Sequence, residues 1–221
     1  MQDKSLYNMN TVGLESALST NKVLKNTYML LGMTLLFSAL TAGLSMAAGL
    51  GHGTALVLSL VGFGLLFVVH RTADTSKGLL AIFAFTGVMG ASIGPMLNYY
   101  LAMPNGPSLV MQALGGTAVV FFGLSAYALT IRKDFSYMGG FLMIGLLVAS
   151  VINAFVGSTT GMLVISALSV MIFSAFMLYD IRRIIDGGET NYISATLALY
   201  LDIVNVFQGL LAMLGIMGGD D

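Results

Sequence analysis

Residues 171–208 read MIFSAFMLYDIRRIIDGGETNYISATLALYLDIVNVFQ. An apolar run ends at Arg182 and Arg183. A turn follows over Gly187-Gly188-Glu189-Thr190-Asn191, and a second apolar run starts at Tyr192. The two runs cover roughly 160–181 and 192–217. A helix needs about 20 apolar residues to cross the hydrocarbon core of a bilayer. The runs are continuous rather than alternating, which argues against membrane strands. The stretch therefore reads as a transmembrane helical hairpin with a basic turn.

The same pattern extends backwards through the chain. Five further apolar runs lie at about 27–50, 54–70, 79–103, 109–131 and 138–157, giving an all-α integral membrane protein of seven spans. Composition agrees: 57% of the 221 residues are hydrophobic and 9% are charged. Soluble domains carry about a quarter charged residues, so this chain cannot clothe a surface in water. A net charge of −1 gives no basic field for nucleic acid. The absence of cysteine excludes disulfides, thiolate metal sites and cysteine nucleophiles.

The nine Lys and Arg fall in four places: Lys4, Lys22 and Lys25 before the first span, Arg71 and Lys77 in the second loop, Arg132 and Lys133 in the fourth, and Arg182 and Arg183 in the sixth. The odd loops have none. The positive-inside rule then puts the N-terminus and the even loops in the cytoplasm. The organisation is a cytoplasmic tail (1–26), a membrane domain (27–217) and a short acidic end (218–221). The polar tail leads into a run long enough to span, which is not the pattern of a cleaved signal, although Ser45-Met46-Ala47-Ala48 imitates a cleavage site. Tyr28, Tyr99, Tyr100, Tyr137 and Tyr192 sit at the expected interfaces as anchors. The last span is the exception among the seven, because it carries Asp202, Asn205 and Gln208. Those polar groups allow either a full crossing or a re-entrant segment lining a cavity.

Asp180 and Asp202 are the two acidic residues inside apolar runs. Such a carboxylate costs several kcal/mol unless it is paired, protonated or wetted. The midpoint of 180 and 202 is Asn191, in the turn, so an antiparallel hairpin sets both carboxyls at similar depth, on the order of 10–15 Å from its tip. Two facing carboxylates in low dielectric cannot both ionise cheaply and share a proton, which makes a pH-dependent latch. Fully ionised, they repel each other or hold a hard cation such as Ca²⁺. The other reading is that Asp180 pairs with Arg183 and Asp202 bonds within its own helix. Asn205 shares the Asp202 face and Gln208 continues it, either lining a water path or bonding between helices. His70 and Arg71 end the second span, where His70 either senses the carboxyl pair or is an interfacial residue.

Gly90 and Gly94 form a small-xxx-small pair for close helix packing, and Pro95 is expected to kink or open the third helix. The 16 methionines read as lipid-compatible filler. Enzyme signatures are missing: there is no HExxH, no GxSxG and no phosphate-binding GK[ST]. Tyr179-Asp180 matches half of an intramembrane diaspartyl protease pattern, but Tyr200-Leu201-Asp202-Ile203 lacks the GxGD of the other half. No cofactor is called for.

Phe176-Met-Leu-Tyr-Asp-Ile-Arg-Arg-Ile184 and Leu197-Ala-Leu-Tyr-Leu-Asp-Ile-Val-Asn-Val-Phe207 resemble the paired signature of the Bax inhibitor-1 family. Arg132-Lys-Asp-Phe-Ser-Tyr137 is similar to that family's fourth loop. Leu18-Ser-Thr-Asn-Lys-Val-Leu-Lys-Asn-Thr-Tyr28 and Gly187-Gly-Glu-Thr-Asn-Tyr192 resemble a bacterial branch of it. The resemblance implies six helices around a central seventh and residence in the bacterial inner membrane. For that branch it implies binding and restraint of the membrane-anchored protease FtsH. The polar tail 1–26, with Lys4, Lys22 and Lys25, is the segment expected to engage such a protease. For a related branch the resemblance implies a pH-sensitive Ca²⁺ leak closed by aspartates matching Asp180 and Asp202, with a basic latch that falls at His70, beside Arg71.

Overall fold

The computed structural model describes the backbone of residues 2–130 and 136–218, and the side chains of 21–130, 144 and 147–218. The described residues form seven helices: α1 (Gln2–Ala47), α2 (His52–Thr72), α3 (Lys77–Leu101), α4 (Gly106–Ala128), α5 (Ser136–Val156), α6 (Thr159–Ile185) and α7 (Tyr192–Met217). No strand occurs among the described residues. Six helices have a described portion long and apolar enough to cross a membrane. In α5 that portion is shorter, Leu147–Val156. Lys4, the fourth-loop basic residues Arg132 and Lys133, Tyr137 and the acidic end lie outside the described side chains.

The helices end where the sequence supplies a reason. Gly49 and Gly187 take φ of 64° and 75°, a left-handed backbone that a side chain disfavours, and so turn the chain after α1 and after α6. α6 runs four residues beyond the apolar run because Arg182 and Arg183 fit its last turn, where cations face the negative end of the helix dipole. Asn191 starts α7, its side-chain oxygen accepting from the backbone N–H groups of Ile193 and Ser194 at 2.8 and 3.1 Å. α7 then continues unbroken for 26 residues, about 39 Å at the usual helical rise. That exceeds a hydrocarbon core of about 30 Å. The last segment is a full-length helix, and its polar residues do not interrupt it.

α7 is the centre of the bundle, touching α1, α2, α3, α4 and α6. Among the described residues α5 packs on α6 alone. Tyr200 of α7 is fully buried. Its hydroxyl donates to the Thr86 carbonyl of α3 (3.4 Å) and shares a 2.7 Å hydrogen bond with Ser38 Oγ of α1. Its ring meets Phe85 edge-on at a centroid distance of 5.7 Å. One side chain thus joins three helices through one buried, satisfied polar group.

α1 and α3 approach closely because α3 presents Gly87, Gly90 and Gly94 to α1. A side chain at Gly90 would collide with the Ser38 carbonyl, and one at Gly94 with Ser45. Pro95 lies one position further, inside α3. Proline has no N–H to offer the carbonyl four residues back, here that of Ala91. Ser45 Oγ of α1 donates to that carbonyl at 2.7 Å. The helix continues past its proline to Leu101 because a neighbouring helix supplies the missing donor.

Candidate functional site: a carboxyl pair in the α6–α7 hairpin

The α6–α7 turn is short and tied down. Asp186 and Arg182 form a bidentate pair at 2.8 and 2.6 Å, and Arg182 also donates to the Ala128 carbonyl at the end of α4. Asn191 donates to Asp74 in the α2–α3 loop at 2.7 Å, and its backbone N–H bonds to Glu189 at 2.9 Å. α6 and α7 leave this turn packed against each other.

The packing brings the two expected residues together. The carboxyls of Asp180, half-buried on α6, and Asp202, 5% exposed on α7, lie within hydrogen-bonding reach. No described donor reaches Asp202 Oδ2, which is fully buried. Ionised carboxylates only accept hydrogen bonds. A bond between two of them therefore requires a proton on one. The buried orphan oxygen and its acidic neighbour together make a site whose charge state and geometry are linked: with one proton the pair is joined, and with none it is two like charges in an apolar setting.

The surroundings select among the sequence readings. Beyond Asp202, Asp180 feels the attraction of Arg183 and the repulsion of Glu189. Arg183 makes its own ion pair with Glu189 (3.6 Å) and donates to the Gly188 carbonyl (3.3 Å) rather than bridging to Asp180. Among the described residues no hydrogen bond joins the Asp202 side chain to its own helix, whereas Asn205 donates to the Leu201 carbonyl at 2.8 Å. Gln208 is half-buried one turn further along. His70 and Arg71 are exposed at the end of α2, and among the described residues no hydrogen bond or ion pair links either to the carboxyl pair. Lys22 and Lys25 are exposed near the start of the α1 span.

Among the described residues no group of three or more acidic or histidine side chains could hold a metal ion. Resident Ca²⁺ takes about six to eight oxygens. Two carboxyls offer two each. Two carboxyls by themselves supply fewer oxygens than such an ion takes. The proline-freed carbonyl, the Tyr200 bridge and the tie from Asn191 to Asp74 are supporting features that the spacing of the two aspartates does not announce. Of these, Asn191 alone carried a local signal, a capping residue directly before an apolar run.

Comparison with known proteins places this architecture. The family described as "Inhibitor of apoptosis-promoting Bax1" matches residues 20–219. A membrane protein of Vibrio cholerae, without an assigned role, is 54% identical over 96% of both chains. The Escherichia coli K12 protein named modulator of FtsH protease YccA is 48% identical over 93% of this chain and 94% of its own. A Pseudomonas aeruginosa protein is 44% identical over the whole of both. With a family match over nearly the whole chain and relatives of this similarity, the chain belongs to the Bax inhibitor-1 family.

Proposed function

We propose that the protein is a multi-pass component of the bacterial inner membrane that binds and restrains the FtsH protease, acting as a modulator and not as an enzyme. The observation that carries this reading is the 48% identity, across nearly all of both chains, to a relative named as a modulator of that protease. In a second E. coli strain the matching relative is named an inner membrane protein. The distribution of Lys and Arg supports a cytoplasmic N-terminus and a cytoplasmic α6–α7 turn. There the tail is within reach of the protease, while the helical bundle resists extraction. The test measures turnover of an FtsH membrane substrate in cells with the full chain, with the chain lacking residues 2–20, and with no chain. Restraint by the full chain and its loss on truncation are expected. Equal turnover in all three overturns the reading, and restraint that survives truncation removes the tail from it.

A second reading rests on the joined carboxyls of Asp180 and Asp202. In this reading the pair gates a cation leak past α7, closed at low pH by the shared proton and opened when that proton leaves. It is compatible with the first, since the protease-facing tail and the pair occupy different parts of the chain.

A further inference from the structure

α1 and α4 both pack on α7, yet along most of their length they do not pack on each other. Between them lies a cavity of about 590 Å³, floored by Ile203, Val204 and Phe207 of α7. One end is closed where the Tyr28 hydroxyl donates to Ser125 Oγ at 3.2 Å and its ring meets Phe121 edge-on. The side is open: Gly32, Ala39 and Gly43 on α1 and Leu114, Ala118 and Phe122 on α4 form exposed rims. The cavity is thus a trough facing the lipid. Along α1 it is lined from Tyr28 to Met46, about 27 Å at the helical rise.

Two features decide what lies in it. The first is length. A trough of about 27 Å covers nearly the whole hydrocarbon core of about 30 Å, whereas an acyl chain reaches only from one interface to the mid-plane, about half of that. A spanning helix matches the full height. The second is shape. Small residues line both walls, Ala39, Ala42 and Gly43 on α1 and Thr117 and Ala118 on α4, and an added side chain at Gly32 or Gly43 meets nothing within 4 Å. In lipid, helices associate by van der Waals fit, so small residues on one face receive large ones from another. No Lys or Arg lines the trough to hold a lipid headgroup.

We propose that this trough seats a transmembrane helix of a partner, which places large aliphatic or aromatic side chains over Ala39, Gly43 and Ala118. Resting on the reading of the chain as an FtsH modulator, the proposal assigns the protease's membrane anchor to the trough. Contact there is distinct from the tail, so the bundle and the tail engage the same partner at two places.

The test uses the full chain in native membranes, with a photo-crosslinking residue at position 39 or 118 and, as a control, at Leu60 on the lipid-facing side of α2. FtsH adducts at 39 and 118 at least about tenfold above those at 60 support the proposal. So does their loss in Gly43→Leu, a variant for which the trough has room, together with a comparable fall in the amount of FtsH that co-purifies. Lipid adducts alone at 39 and 118, with co-purification unchanged in Gly43→Leu, overturn it and leave an acyl chain as the occupant. FtsH adducts equal at all three positions also overturn it. A wild-type chain that neither co-purifies with FtsH nor slows its proteolysis overturns the modulator reading itself. Co-purification and restraint that persist without trough adducts overturn only the trough.

Discussion

At the scale of single residues, the strongest consequences come from polar groups placed where water cannot reach. The Asp180–Asp202 pair needs a proton to stay joined. In liposomes loaded with a Ca²⁺-sensitive dye, the second reading expects wild-type flux to be low at acid pH and to rise as pH increases and the shared proton is lost. Asp202→Asn and Asp180→Asn each remove one of the two like charges and should flatten that pH response. Identical, pH-independent flux in all three proteins would take the pair out of any transport mechanism. Ser45 is a second such residue. Replacing it with alanine leaves the Ala91 carbonyl, already deprived of a donor by Pro95, unbonded in a buried contact. The expected cost is about 1–3 kcal/mol. A drop in the melting midpoint of the detergent-solubilised protein reads it, and an unchanged midpoint means water or another donor takes the place of Ser45.

At the scale of elements, the α1–α3 contact and the α6–α7 hairpin behave differently. α1 and α3 meet backbone to backbone at Gly90, so Gly90→Leu must push the helices apart and should abolish accumulation of folded protein in the membrane. Gly43→Leu, on α1 but facing open space, should accumulate normally. Fluorescence size-exclusion profiles of the two variants separate these outcomes, and matching profiles would show that the close contact is not required. The hairpin depends on Asn191, which caps α7 and holds the α2–α3 loop through Asp74. Asn191→Ala should cost about 0.5–2 kcal/mol from the cap alone. Asp74→Ala, which leaves the cap intact, should cost less, and thermal scans of the two variants compare them.

For the whole molecule, the disposition of charge predicts the orientation. The chain has no cysteine, so single cysteines report topology without background. Ser76→Cys, in the α2–α3 loop, should react with an impermeant thiol reagent only from the cytoplasmic face. Asn105→Cys, in the α3–α4 loop, should react only from the opposite face. Reversed labelling would invert the bundle and move the N-terminal tail away from a cytoplasmic protease. A continuous α7 puts Met217 at the far end of the helix from the α6–α7 turn.

Much of this was legible in the sequence because the bilayer imposes simple rules on a chain. Span number followed from the length of apolar runs, since an unpaired backbone in lipid is too costly for anything but a helix or a closed barrel. The shared depth of Asp180 and Asp202 followed from arithmetic about Asn191, because an antiparallel hairpin equates distances from its turn. Gly90 and Gly94 followed from the spacing of small residues on one helix face. These features are local or nearly so. The tertiary structure alone decided the others. It decided that the two carboxyls meet, that Arg183 turns to Glu189, that Ser45 serves the carbonyl freed by Pro95, that Tyr200 joins three helices, and that α1 and α4 leave a trough between them. Each depends on the rotation of one helix about its axis relative to another. Rotation in lipid is set by van der Waals fit among many apolar side chains, and a chain that is apolar on nearly every face leaves no stripe in its sequence from which to read it.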